Sequence, residues 1–511
     1  MGKRGLICAA LVAVAACHTS PTQPCPTPRL ARIGPSPQSP APSPQFDSLF
    51  HAAGAEFHVS PSLLAAIGWM ETRWQMVQGA EEFPGRPAAF GVMGLRGAAL
   101  ERGAALAGVT VDAARHDPAA NIRAAAAVLA AYGAEAGGNW DAAAARYSGI
   151  DLPAGRDAYV EGVAQAQGAP RRAAPSFAAT PCPPDTTAIR DTMDFASAVW
   201  RPSPNFDQRA ADSSGVPHMV IIHTCESNYV SCWSWLDNPA SQVSVHYVVN
   251  EDGSETSRLV REKDRAFHIA ALYDCTLNRR HDCWLNGVQS NHFTIGIEHA
   301  GFVSQDSFPH SQLEQSAALV CDITRRRAIP RDWQHIVGHG QLQPANRTDP
   351  GPHWPWIAYL HRVQAWCGET VVDDSSEFND STLARVRVPA GWQATDITPD
   401  YYGGGYRWAS TNPSATDGVE FSFYVAASGA MSRTLDARWT SGTNRAAQAS
   451  YAVITAAGDT LQIVSRDQRT GGGSWHTLGT WTFPAGWNRV VLLRRVATGA
   501  VVVADAVRVR Q

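Results

Sequence analysis

The chain is almost without lysine: Lys3 and Lys263 are the only two, so 40 of its 42 basic residues are arginine. A cationic role that lysine often fills must then fall to guanidinium, which differs from ammonium in shape and hydration. An excess of one charge sign is also missing, and a net charge of −4 gives no case for nucleic-acid binding. No two cysteines stand at Cys-x-x-Cys spacing, which argues against a thiolate-rich structural metal site. Long apolar runs are absent too: Leu6 to Ala16 is too short to span a bilayer. No internal repeat links one part of the chain to another.

What is present begins with an export signal, Lys3-Arg4 followed by the apolar run. The run ends in Val14-Ala15-Ala16-Cys17, which resembles the bacterial lipoprotein lipobox. That resemblance implies acylation of Cys17 and a membrane anchor, with His18 favouring an outer-membrane, periplasmic or cell-surface address. The alternative is a plain secretory signal followed by a chance cysteine. Cys8 and Cys17 aside, eight of the ten cysteines remain, an even number in an exported chain, so disulfides are expected. Cys225 with Cys232 and Cys275 with Cys283 are close enough for local loops; Cys321 with Cys367 and Cys25 with Cys182 would be the remainder.

The length of 511 residues fits three compact units. Residues 1–17 form the signal and 18–44 a tether dense in Pro, Ser and Thr that cannot bury enough apolar surface to fold. Residues 45–167 read as a helical unit, 168–190 as a linker, 191–368 as a mixed α/β unit, 369–380 as a second linker and 381–511 as a strand-rich unit. In the first unit Ser60-Pro61 starts a helix presenting Leu63, Ile67, Met70 and Trp74 at helical spacing, and Asp117-Pro118 and Asn139 open two more. The middle unit alternates strand signals (219–223, 246–250, 294–298) with a helix over about 312–327 and another after Trp354. Past Glu369, short strand-like runs between turns give a β-sandwich pattern. The expected fold is thus an α bundle, an α/β domain with a central mixed sheet, and a β-sandwich.

Twelve of the seventeen histidines lie between His218 and His361. Two stand out: His223 ends the apolar run Val220-Ile221-Ile222, and His339 follows Gly338, with Asp349 ten positions later in Thr348-Asp349-Pro350-Gly351-Pro352. Two imidazoles and one carboxylate form the three-ligand set of a catalytic zinc, which keeps a fourth position open for water. In the strand 294–298, Thr294, Gly296 and Glu298 share one face and Ile295 and Ile297 the other. Glu298 is thereby a candidate to take a proton from zinc-activated water and pass it to a leaving amine, while the small residues leave room for a ligand.

The middle unit resembles the zinc-dependent N-acetylmuramoyl-L-alanine amidases of the peptidoglycan-recognition-protein and phage-lysozyme type. The resemblance is carried by Ile222-His223-Thr224, Ser244 to Val249, Ala266-Phe267-His268, Asn291, Ile295 to Glu298, Val337-Gly338-His339 and Thr348 to Pro352. It implies that His223, His339 and Asp349 hold Zn2+ and that the substrate is the peptidoglycan amide between the muramic lactyl group and L-alanine. It also implies an oxyanion role for Arg347, where the family often has lysine, and groove positions for His246, His268 and Asn291. A recognition module that grips peptidoglycan without cutting it, and a zinc peptidase acting on stem peptides, are the alternative readings.

The first unit resembles the lytic-transglycosylase, lysozyme-like family through Val59 to Ile67, Glu71-Thr72-Arg73, Phe90 to Met93, Asp117-Pro118 with Asn121-Ile122, and Ala145 to Gly149. Glu71 stands on the apolar stripe of its helix, where lost solvation suits a carboxyl to protonate a glycosidic oxygen; Tyr147 is a candidate substrate contact. Gly94 and Ser148 stand where the family usually has glutamine and asparagine, so the unit either cuts glycan or only grips it. The last unit resembles the C-terminal domain of golvesin-like proteins through Trp475 to Gly479, Phe483, Gly486 and Val501 to Val509. It suggests an adhesive or targeting module, in which Tyr401, Tyr402, Tyr406 and Trp408 either stack on sugars or pack in the core.

Overall fold

The structure is a computed structural model that describes residues 41–83, 85–168, 194–426 and 429–511. Cys17 with its lipobox, the Cys25–Cys182 pairing, and nearly all of the tether and first linker lie outside the described residues. No helix among the described residues is long and apolar enough to cross a membrane.

Among the described residues, seven helices build the first unit around Leu64, Ile67, Val128, Leu129 and Tyr159. Helix Pro61–Thr72 starts at the expected Ser60-Pro61, but Ser60 does not cap it through its side chain; its Oγ lies 2.8 Å from Ser62 Oγ instead. The helices opened by Asp117 and Asn139 are capped as expected, each side chain accepting from the N–H three residues on. Besides helices such as Pro44–Phe57 and Gly97–Ala107, the sequence reading missed a small antiparallel sheet of Val77–Gln78, Ala89–Gly91 and Leu95–Arg96.

The middle unit holds a six-stranded mixed sheet ordered Ile336–Gly338, Met219–Thr224, Thr294–His299, Tyr247–Val249, Thr256–Arg258, Val199–Trp200. The first four strands run parallel, and every residue of Met219–Thr224 and Thr294–His299 is buried, as a sheet covered on both faces requires. Ile295 and Ile297 pack with Leu313, Ala317 and Val320 of helix His310–Arg327, while helix Trp356–Trp366 adds Tyr359, Leu360 and Val363 to the same core. Disulfides join Cys225–Cys232, Cys275–Cys283 and Cys321–Cys367.

The last unit is an antiparallel sandwich of a four-stranded and a five-stranded sheet with a small third sheet. Part of the expected 369–380 linker is structure: Glu369–Asp373 pairs with Ala506–Arg510 and starts the sandwich as soon as the preceding helix ends. Tyr401, Tyr402 and Tyr406 are buried, so of their two readings the core role holds.

Candidate metal centre

Parallel pairing places His223 directly beside Glu298, with Ile222 paired to Gly338 on the other side, so His339 emerges one residue beyond the sheet edge of that pair. The loop carrying Asp349 folds back until the Gly340 N–H donates to the Asp349 carbonyl. His223 Nδ1 lies 3.0 Å from His339 Nδ1 and 3.1 Å from Asp349 Oδ2, and His339 Nδ1 lies 3.2 Å from the same oxygen. All three residues are 2% exposed or less.

These separations fit zinc. Bonds of about 2.0–2.1 Å in a tetrahedron put neighbouring ligand atoms roughly 3.3 Å apart, close to the three edges observed. Two imidazole nitrogens turned toward one point are poorly explained by hydrogen bonds alone, and Asp349 Oδ1 is buried with no hydrogen-bond partner. Charge argues the same way, because Glu82, Glu226, Glu298 and Asp349 are all buried around this point and a cation offsets their repulsion. The far nitrogens are held in place: His223 Nε2 lies 3.0 Å from His268 Nδ1, whose Nε2 lies 3.1 Å from Thr294 Oγ1, and His339 Nε2 lies 3.4 Å from Gln343 Oε1. Such partners set ring orientation in metal sites. Burial, then His339, pulls the His223 pKa down to about 4 and keeps it in the neutral form a metal needs.

A further carboxylate stands beside the three expected ligands. Glu82, from the turn between the first unit's short strands, brings Oε1 to 3.6 Å from His339 Nδ1, and one donor atom each of Glu82, His223, His339 and Asp349 lie within 4.8 Å of one another. Glu226 lies just beyond, its carboxylate accepting from the Ala80 and Val303 N–H groups. The sequence reading missed both glutamates, and nothing in the turn Ala80-Glu81-Glu82-Phe83 marks it as part of a site in another domain.

Glu298 is 1% exposed and its Oε2 has no hydrogen-bond partner. Burial, then the nearby Glu82 and Asp349 carboxylates, push its pKa well above the usual carboxylate range. Gly296 does not leave room for a ligand as expected: a Cβ there would stand 2.6 Å from the His268 ring, which fills the space. Arg347 is at the site, with Nε 3.5 Å from Glu82 Oε1 and Nη2 donating to the Glu82 carbonyl. A cavity of about 380 Å³ beside it is lined by Glu82, Phe83, His268, Asn291, His339 and Arg347. His246 is not among its walls: fully buried, it accepts from the Gly296 N–H and contacts Arg209.

In the first unit Glu71 is 3% exposed on the wall of a second cavity of about 320 Å³, also lined by Arg86, Arg96, Tyr147 and Ser148. Tyr159 Oη donates to Glu71 Oε1 at 2.6 Å and Asn228 of the middle unit donates to Oε2 at 3.3 Å. Burial raises the Glu71 pKa despite Arg96 and Tyr159. Tyr147 donates to the Met93 carbonyl. Gly94, at φ +57°, lies where a Cβ would meet Glu71 Cβ at 2.9 Å, which explains glycine at that position.

Residues 213–352 match the N-acetylmuramoyl-L-alanine amidase family, residues 48–159 the transglycosylase SLT domain and residues 377–511 the Golvesin C-terminal domain. N-acetylmuramoyl-L-alanine amidase A of Achromobacter lyticus is 30% identical over 194 residues, which cover 34% of this chain and 98% of that protein. Xanthan lyase of a Bacillus species is 34% identical over 228 residues, 43% of this chain but only 22% of the lyase. Among solved structures, a selenomethionine derivative of AmpD is 24% identical, covers 34% of this chain and 95% of that one, and has a TM-score of 0.26.

Proposed function

The chain belongs to the N-acetylmuramoyl-L-alanine amidase family, and on that premise we propose how its residues divide the work of zinc-dependent hydrolysis of the amide between N-acetylmuramic acid and L-alanine in peptidoglycan. The observation that carries this reading is the convergence of His223, His339 and Asp349, whose donor atoms stand 3.0–3.2 Å from one another. Zinc bound there supplies Lewis acidity toward water and the amide carbonyl. Glu298 accepts the proton of the attacking water as its oxygen adds to the carbonyl carbon, and returns it to the L-alanine nitrogen as the C–N bond breaks. Arg347 offsets the negative charge that collects on the former carbonyl oxygen. His268 and Asn291 line the substrate cavity: Asn291 Oδ1 accepts from the His268 and Ile269 N–H groups and so shapes that wall. His246 supports the sheet behind it.

A second reading adds to the first. Glu71, buried and bonded to Tyr159 in a cleft, suits a general acid that protonates a glycosidic oxygen while the muramic acid's own hydroxyl closes an anhydro ring. The lipobox supports anchoring through Cys17.

Mass spectrometry of digested peptidoglycan, with and without chelator, tests the assignments together. Amidase action releases peptides with a free L-alanine amine and stops in chelator; L-alanine left on muramic acid would mean a peptidase, and no release at all a binding module. Anhydromuramic ends that vanish in Glu71→Gln would establish the second activity, whereas unchanged glycan length in the parent would reject it.

A further inference from the structure

Glu82 does not belong to the amidase domain, yet two parts of that domain's machinery are turned toward it. Its Oε1 lies beside His339 Nδ1, within the cluster of donor atoms formed with His223 and Asp349. The same oxygen lies 3.5 Å from Arg347 Nε, while Arg347 Nη2 donates to the Glu82 carbonyl at 3.0 Å. One residue therefore stands where attacking water is needed and engages the guanidinium assigned to the carbonyl oxygen.

The turn is built into place. Ala80 N–H donates to Glu226 Oε2 at 2.8 Å, Gln78 N–H to Ser304 Oγ at 3.1 Å, Arg86 Nη1 to the Ser231 carbonyl at 3.0 Å and Arg96 Nη1 to the Glu226 carbonyl at 3.3 Å. Phe83 is buried with Cys225, Tyr229 and Trp233 of the middle unit, and Val77 and Ala89 pack against Phe302. A carboxylate held by this many contacts on both sides is pre-organised for a ligand role.

We infer that Glu82 is an intramolecular fourth zinc ligand, delivered by the glycan-cleft domain, that holds the amidase latent until residues 79–83 withdraw. The inference rests on the zinc-amidase reading. It also couples the two clefts: Arg86 and Arg96, which pin the turn, line the cavity of Glu71, so glycan filling that cavity competes for the contacts that keep Glu82 in place.

The test uses the full chain loaded with cobalt(II), with acetohydroxamate as the probe for the fourth position, read from the visible absorption of the metal. An internal ligand lowers the apparent affinity of a competing one by its occupancy, so Glu82→Gln, which keeps the side chain's volume, should bind the probe about tenfold or more tightly than the parent. It should also lose metal more readily to a chelator and release peptide from peptidoglycan faster. Glu82→Ala, checked by thermal melting for an unchanged fold, should behave alike. Equal probe affinity in parent and both variants, or slower hydrolysis with unchanged metal affinity, would overturn the inference while leaving the amidase intact. A parent and variants that take up metal away from His223, His339 and Asp349, with no peptide release from any of them, would instead overturn the underlying reading.

Discussion

Glu298 and His223 are neighbours across a parallel strand pair, and only one of them is fully supplied with partners. His223 is held at both ring nitrogens, whereas Glu298 Oε2 is buried without a donor. A buried carboxyl with no hydrogen bond to its charged form readily holds a proton, which is what shuttling between water and a leaving amine requires. Glu298→Gln keeps the volume and removes that capacity. Its kcat should fall by roughly 10²–10⁴ with zinc content and KM little changed, which steady-state kinetics with metal analysis will check; a rate near that of the parent would remove Glu298 from the proton path. Arg347 is the residue whose role depends most on its surroundings. In a chain with two lysines its identity says little, and only its approach to Glu82 reveals that it faces the same point as the metal ligands.

At the scale of elements, alternation along Thr294–His299 decides both faces of the sheet. Ile295 and Ile297 take the helix side, and Glu298 and Gly296 the site side, as period-two patterning dictates. Alternation could say that Gly296 leaves space but not what fills it; the His268 ring arrives from a different segment. Helices His310–Arg327 and Trp356–Trp366 hold that sheet from below, and Cys321–Cys367 ties one to the end of the other across a sequence separation of 46. Closing a loop of this size limits the unfolded chain by about 4 kcal/mol on the chain-entropy account. Replacing both cysteines by serine should therefore lower the stability of the middle unit by about 2–4 kcal/mol, seen as a lower denaturation midpoint than the parent under oxidising conditions. Equal midpoints would show that packing alone sets the helix pair.

Across the whole molecule the three units share buried polar contacts rather than hang on linkers. The first meets the middle through Glu226, Ser231, Asn228 and Phe302, and the middle meets the sandwich through Arg438, whose Nη1 lies 3.1 Å from Asp332 Oδ2 with both side chains 2% exposed or less. Asp332 also grips His335, which touches Asp282 on its other nitrogen at 3.2 Å. Burial opposes a charged imidazole there, but Asp332 and Asp282 outweigh it and hold the His335 pKa up to about 9. Because the folded pKa lies above the unfolded value of about 6.5, this stabilisation is complete below pH 6.5 and is lost as pH rises toward and through 9. The full gap corresponds to roughly 3 kcal/mol. Denaturation midpoints should thus fall between pH 7 and 9.5 in the parent and show a flatter dependence in His335→Gln; parallel pH profiles would exclude this group as the source.

The sequence by itself determined the elements and the chemistry that depends on local order. The apolar run ending at His223, Gly338-His339 and the Asp349 loop could be read as zinc ligands because residue type and strand position are local properties; cysteine spacing suggested the local loops Cys225–Cys232 and Cys275–Cys283, but the pairing itself, that of Cys321 with Cys367 above all, was decided by the fold. Tertiary structure alone decided that the turn of one domain enters the site of another. Glu82 and Glu226 carry no periodic signal, and contacts between residues so far apart in the chain arise only when two finished surfaces pack together. It also decided that Tyr401 and Tyr406 lie inside the sandwich and that Tyr402 joins the core of the middle unit, where Gln364 donates to its hydroxyl, because burial of an aromatic ring depends on what covers it, and the covering residues come from other elements.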